Sequence, residues 1–170
     1  LYKNIGADGI KTGFLTVEKY SLASSIKYGD RRINAVASGF KTKNSRSRES
    51  VKILTWALRS FDTIQVAKKN EVIASLDVWL GKKNKVEALV LEDIYMTVPK
   101  RKKKIIKAVI EYNTPIETPI AKGDKLGSLN IYVAGDLKKK IDVLSGEEIK
   151  KANIFLRLLK SFNFLVWGNV

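Results

Sequence analysis

The chain has 170 residues, 45% of them apolar, enough for one domain or two small ones with a core. It contains no cysteine and no histidine, which excludes disulfide staples, thiol catalysis, Cys- or His-ligated metals and Ser-His-Asp triads. Thirty-two Lys and Arg against 17 Asp and Glu give a formal charge of +15, which favours an anionic partner, although lysine-biased composition alone gives the same total.

The chain opens on Leu1, with no pattern of basic, apolar and small-residue regions behind it, and so reads as the C-terminal part of something longer. Residues 1–62 pattern as strands followed by a helix. "YSLASSIKY" and "RRINAVASGF" are β-capable runs separated by Gly29-Asp30, a hairpin-turn dipeptide. The period then changes. In "NSRSRESVKILTWALRSF", Val51, Leu54, Leu58 and Phe61 recur at three- and four-residue spacing, and Ser45 or Ser47 is the expected cap. An antiparallel sheet with a helix laid across one face follows.

Residues 62–69 are the expected junction. Between 66 and 145, "EVIASLDVWL", "KVEALVLEDIYMTV", "KIIKAVIEY", "GSLNIYVAG" and "KKKIDVLS" are short strand-like runs punctuated by Gly and Pro, the pattern of a separate all-β, sandwich-like module. The run Lys100-Arg101-Lys102-Lys103-Lys104 within it reads as a solvated hairpin or strand edge, where lysines block edge pairing. Tyr95 and Tyr112 flank this run at a distance without interleaving, so nucleic acid is not the expected partner.

Residues 147–167 return to helical period. Ile149, Ala152, Phe155, Leu156, Leu159, Phe162 and Val166 share one arc, with Lys150, Arg157 and Lys160 opposite and Glu147-Glu148 in the expected first turn. No run of 18 clean apolar residues occurs, so a spanning helix is not expected. The stripe either packs on the β-module or lies in a membrane interface with Trp167 near its end; the second is the expectation.

Several of these segments carry a family resemblance. "GADGIKTGF", Tyr20 with Leu22-Ala23-Ser24, "RRINAVASG" and "RESVKILTWALRSF" stand in the order and spacing of the low-molecular-mass penicillin-binding proteins, the serine-type D-alanyl-D-alanine carboxypeptidases. "DIYMTVPKRKKKIIKA", "TPIAKGDKLGSLNI" and the terminal helix extend the resemblance over nearly the whole chain. It implies an α+β fold: part of a penicillin-binding/β-lactamase-like domain, then an all-β domain and an amphipathic anchor helix. The implied chemistry is attack by a serine on the terminal peptide bond of a peptidoglycan pentapeptide ending in D-Ala-D-Ala, with release of D-alanine and hydrolysis of the acyl-enzyme. β-Lactam antibiotics are implied as ligands, and neither cofactor nor metal is. The implied location is the extracytoplasmic, periplasmic face of the bacterial cytoplasmic membrane, held peripherally by residues 147–167.

Residue by residue, the resemblance makes Lys11 a charge beside the nucleophile's network and the Phe14 backbone N–H an oxyanion-hole donor. Thr12 would bind the substrate carboxylate, and Gly13 would admit close backbone approach. Arg46 would bind the free carboxylate through a charge-assisted contact, with Arg48 as its rival. Two positions depart from the family pattern: Leu15 stands where Thr is usual, and Lys19 where Gly usually precedes the Tyr. Ser-x-x-Lys and Ser-x-Asn do not occur in matching positions, so residues 1–170 alone are expected to be inert. The alternative is a non-catalytic membrane-surface or cell-wall-binding module.

Overall fold

A computed structural model describes residues 6–167; Leu1 and the side chain of Trp167, both used above, lie outside what it describes. The chain divides into two compact units, Leu1–Thr63 with Thr97–Lys100, and Ile64–Met96 with Arg101–Val170.

The first unit is a three-stranded antiparallel sheet in the order β1 (Ala7–Leu15), β2 (Lys19–Tyr28), β3 (Arg31–Phe40), with α1 (Lys43–Ser60) packed on β2 and β3. Leu22, Ser24 and Ile26, alternate residues of β2, are buried, as period two requires of a strand with one covered face. Leu54 is the fully buried residue of α1. The helix begins one turn earlier than Ser45 or Ser47 as cap would place it. Thr42 is the N-cap, and Ser45 is the third helical residue, closing a reciprocal capping box at 3.0 and 3.1 Å. At the other end Arg31 donates to the Phe61 carbonyl (2.5 Å) and to the Ala57 carbonyl (3.0 Å), the latter also accepting the Phe61 backbone N–H.

Lys19 opens β2 with φ +60°, in the left-handed region. That conformation costs an L-residue roughly 1–2 kcal/mol, and a glycine avoids the cost while losing about 0.5–1 kcal/mol of chain entropy. Lys19→Gly is therefore expected to stabilise the first unit by about 0.5 kcal/mol, read as a rise in the midpoint of denaturant unfolding with an unchanged slope. A lowered midpoint would show that the lysine side chain contributes more than its backbone costs.

The second unit is all-β apart from a short 3-10 helix and its terminal helix. β5 (Val72–Trp79), β6 (Lys85–Leu89), β8 (Ile106–Tyr112), β9 (Ile116–Glu117), β10 (Lys125–Val133) and β11 (Asp136–Ser145) form one sheet in the order β8-β10-β11-β6-β5-β9. β4 (Phe61–Ala67) and β7 (Ile94–Pro99) pair as a separate two-stranded ribbon. Ala67 and Ile94 from that ribbon join Val78, Val86, Ile131 and Val143 in a single core.

The expected junction at 62–69 contains the boundary between the two units, Thr63/Ile64, and most of it is strand β4, whose Ile64 and Val66 alternate with Thr63 and Gln65. Two expectations are corrected. The basic run Lys100–Lys104 is neither hairpin nor strand edge but the body of a short 3-10 helix, Lys100–Ile105. The helix expected from residue 147 begins only at Ile154, as α2 (Ile154–Trp167), capped by the Asn153 side chain, which accepts from the Leu156 N–H at 2.9 Å. Residues 149–152 belong to the β-module instead. Ile149 and Ile120 exchange backbone hydrogen bonds at 2.8 and 2.9 Å, and Ile149 and Ala152 are buried. Gly81 explains how closely this segment packs: a Cβ there would lie 2.9 Å from Thr118 Cγ2 and 3.0 Å from Ile149 Cγ2.

Candidate functional site

Lys11, Thr12 and Gly13 lie on β1, the edge strand of the first sheet, opposite Ala23, Leu22 and Ser21 of β2. At Gly13 a Cβ would meet Ser21 Oγ at 2.5 Å, so a larger residue there would force the Ser21 hydroxyl to another rotamer. One residue further, the Phe14 ring packs on Tyr20 with centroids 4.7 Å apart. The Arg46 guanidinium lies 5.7 Å from the Tyr20 centroid, a cation–π contact between α1 and the sheet.

These residues frame a cleft of about 360 Å³ lined by Ala7, Gly9, Ile10, Lys11, Thr12, Leu22, Arg46 and Ser47. The capping box at Thr42 fixes the turn of α1 that delivers Arg46 and Ser47. Of the residues singled out from sequence, the structure brings together Lys11, Thr12 and Arg46. Gly13 and Phe14 continue the same strand but do not line the cleft. Arg48 is not brought in: its Nε donates to Glu49 Oε1 at 2.9 Å, and its side chain is mostly exposed. Helix phase separates the two arginines, because Arg46 stands four and eight residues before the buried Ser50 and Leu54.

The cleft holds two cationic side chains, two hydroxyls and no carboxylate in its lining. The nearest acids in sequence are engaged elsewhere. Glu49 accepts from Arg48 and from Lys52, and these bonds hold it below the usual carboxylate range. Asp8 sits between two lining residues, yet its carboxylate is bound by Arg32, whose hydrogen bonds likewise lower its pKa. Such a lining suits an anionic group, above all a carboxylate that can take a guanidinium and a hydroxyl together. Sequence reasoning missed the Asp8–Arg32 pair, which is formed across 24 residues of sequence.

Ser-x-x-Lys does occur, at Ser24–Lys27 and Ser38–Lys41, but on or at the end of strands. Residues three apart on a strand face opposite ways, so neither pair couples a hydroxyl to an amine. Ser24 is buried and donates to the Ala35 carbonyl. Ser128-x-Asn130 is buried in β10 of the second unit, and Ser161-x-Asn163 lies on α2. Among the described residues no group of three or more His, Cys, Asp or Glu is placed to hold a metal.

In the second unit, α2 turns its polar side inward. Lys160 Nζ donates to the Gly81 carbonyl at 2.7 Å and to Asn84 Oδ1 at 2.6 Å. Ile154, Phe155, Leu158, Leu159, Phe162, Leu165 and Val166 are exposed, Phe155 at 79% and Leu165 at 84%. This arrangement departs from the sequence wheel in two ways. Lys160 is not free for a basic outer strip, and Lys150 lies outside the helix. Among the described residues no helix is long and apolar enough to cross a membrane.

Comparison with known proteins bears on both units. The family described as penicillin-binding protein 5, C-terminal domain, matches residues 61–151, from the start of β4 to just before α2. The D-alanyl-D-alanine carboxypeptidase DacA of Escherichia coli (strain K12) is 30% identical over 157 residues, covering 92% of this chain and 39% of the relative. DacF of Bacillus subtilis (strain 168), another D-alanyl-D-alanine carboxypeptidase, is 33% identical over 91% of this chain and 40% of its own length. The crystal structure of penicillin binding protein 5 from Haemophilus influenzae superposes with a TM-score of 0.76 at 28% identity, covering 86% of this chain and 43% of that one. The chain thus spans about two fifths of the length of these relatives.

Proposed function

This chain belongs to the penicillin-binding protein 5 family, and on that premise we propose that it supplies the Lys-Thr-Gly wall of a D-alanyl-D-alanine carboxypeptidase together with the β-rich domain beside it in sequence. The full-length product would remove the terminal D-alanine from peptidoglycan stem peptides through a serine acyl-enzyme, and β-lactams would acylate the same serine. The observation that carries this reading is the convergence of Lys11, Thr12 and Arg46 on one acid-free cleft.

The roles are those the family resemblance implies, and the convergence of Lys11, Thr12 and Arg46 supports them. Arg46 and Thr12 receive the substrate's terminal carboxylate, and Gly13 lets the substrate backbone run alongside an edge strand. Lys11 places positive charge where negative charge develops during attack, and the Phe14 N–H donates to the oxyanion. The nucleophile and its base lie outside residues 1–170 in this reading, because neither Ser-x-x-Lys match is built to act as one.

The outward apolar face of α2 supports attachment to the extracytoplasmic face of the cytoplasmic membrane, without crossing it. A helix serving only to close the β-module would turn that face inward. The same feature is shared by the second reading, a non-catalytic membrane-surface or wall-binding module.

Labelled penicillin separates the two. The full-length product is expected to form one covalent adduct, competed by unlabelled penicillin, and residues 1–170 alone to form none. Stoichiometric labelling of residues 1–170 would contradict the assignment of the nucleophile elsewhere. A full-length product that resists labelling altogether would favour the non-catalytic module.

A further inference from the structure

Asp8 occupies an irregularity in the edge strand. Ala7 pairs with Ile26 but Gly9 pairs with Ser25, so two residues of β1 advance while β2 advances one, and Asp8 is the extra residue of a bulge. Arg32 stands on β3, two strands away. Its Nη1 reaches back over β2 to donate to Asp8 Oδ1 (2.9 Å) and Oδ2 (2.7 Å), and lies 2.5 Å from Ser25 Oγ on the way. The span is about two strand spacings, roughly 9–10 Å. Ser25 is buried beneath the contact.

We propose that Asp8 and Arg32 form a clasp that fixes the register of β1, and through it the faces on which Lys11 and Thr12 are presented. The inference rests on the role proposed for Lys11, three residues downstream, but the clasp itself does not. Side chains alternate along a strand, so a one-residue slip of β1 would exchange the faces of Lys11 and Thr12 and leave Arg46, on α1, without its partner cation in the cleft. β1 and β3 are both edge strands, held by hydrogen bonds from one side only, but α1 packs on β3 and not on β1, which leaves β1 the strand of this sheet most open to slipping. A bulge is a position where two registers meet, and a carboxylate pinned there from β3 favours one of them. Asp8 and Arg32 are therefore positioning residues.

An exposed ion pair contributes little to global stability, on the order of 0–1 kcal/mol, so a clasp and a merely structural pair predict different results. Two measurements use Arg32→Met, Arg32→Lys and Asp8→Asn. In residues 1–170, Arg32→Met and Asp8→Asn are expected to speed amide exchange along β1 about 10-fold or more, while exchange in α1 and the second unit stays unchanged. Arg32→Lys, which keeps a charge able to reach Asp8, is expected to restore part of the protection. In the full-length product, Arg32→Met is expected to slow acylation by penicillin about 10-fold with an unchanged unfolding midpoint, and adding Asp8→Asn is expected to slow it no further. Wild-type exchange in β1 of both variants overturns the clasp, as does exchange that rises equally throughout the first unit. A wild-type full-length product that no penicillin acylates would count against the proposed function, and the exchange measurement would still decide the clasp.

Discussion

Lys11→Ala in the full-length product is expected to slow acylation by penicillin about 10²–10³-fold, the equivalent of roughly 2.7–4 kcal/mol lost from a preorganised charge or donor at a developing oxyanion. The expectation is specific because Lys11 is exposed on an edge strand and carries no core packing. Surface substitutions of that kind usually change stability by no more than about 0.5 kcal/mol, so fold and rate should separate cleanly. Stopped-flow acylation, run beside denaturant unfolding, makes the comparison. The cleft gives an internal control. Arg48→Ala, outside the lining, should leave the rate unchanged, whereas Arg46→Ala should weaken capture of a substrate carboxylate. An Ala variant at Lys11 that acylates at the wild-type rate would remove the charge role assigned to it.

The second large effect concerns α2. Removing residues 154–170 is expected to abolish flotation of the chain with phospholipid vesicles. Burying no more than one methylene equivalent from each of the seven exposed apolar side chains, at about 0.8 kcal/mol apiece, gives roughly 6 kcal/mol before the cost of association. A loss of at least about 100-fold in partitioning follows. The structure also alters what salt should do. A free basic strip would add about 1 kcal/mol per Lys or Arg on anionic lipid and would be screened. With Lys160 bound to Gly81 and Asn84, Arg157 lining a cavity with Trp79, Glu117 and Thr118 on that same side, and Lys150 outside the helix, none of the three lies on the outward apolar face of α2. Neutral and anionic vesicles should therefore float the chain similarly at low and high salt. Flotation that survives the deletion, or an intact chain that ignores vesicles of either kind, would return α2 to a purely structural role.

Where local chemistry decides the structure, the residues were legible. Gly29-Asp30 between two β-capable runs is a hairpin at the expected residues, and the three- and four-residue apolar spacing after Asn44 is α1. The Lys-Thr-Gly strand was legible only in company, through its ordered neighbours. The failures share a physical cause. Ile149 and Ala152 fall on the helical period of α2 by coincidence, and periodicity cannot distinguish them from core residues of a bridging segment. Asn153 was the readable signal, an N-cap residue just ahead of an apolar run. The direction in which α2 faces depended on Lys160 meeting Gly81 and Asn84, nearly eighty positions away in sequence. Arg46 and Arg48 remained rivals until buried Ser50 and Leu54 set the phase of the helix. Asp8 and Arg32 could not be paired beforehand, because their meeting depends on a bulge that strand propensity does not encode.

The route of the backbone bears on how such a protein can be inherited. The first unit ends at Thr63, yet it also owns Thr97–Lys100, which arrive only after the chain has built the opening strands of the second. Thr63 and Thr97 meet through their hydroxyls at 2.9 Å on the β4–β7 ribbon. A single recombination crossover between residues 63 and 64 would carry Thr97–Pro99 away from Phe61–Thr63. Each descendant would then join a β4 split between two parents to a β7 from only one of them, so the contact between Thr63 and Thr97 would have to be remade between unmatched residues. Exchange of either whole unit between genes needs three breakpoints in register, at 63/64, 96/97 and 100/101, so descent should have kept these units together far more often than it shuffled them.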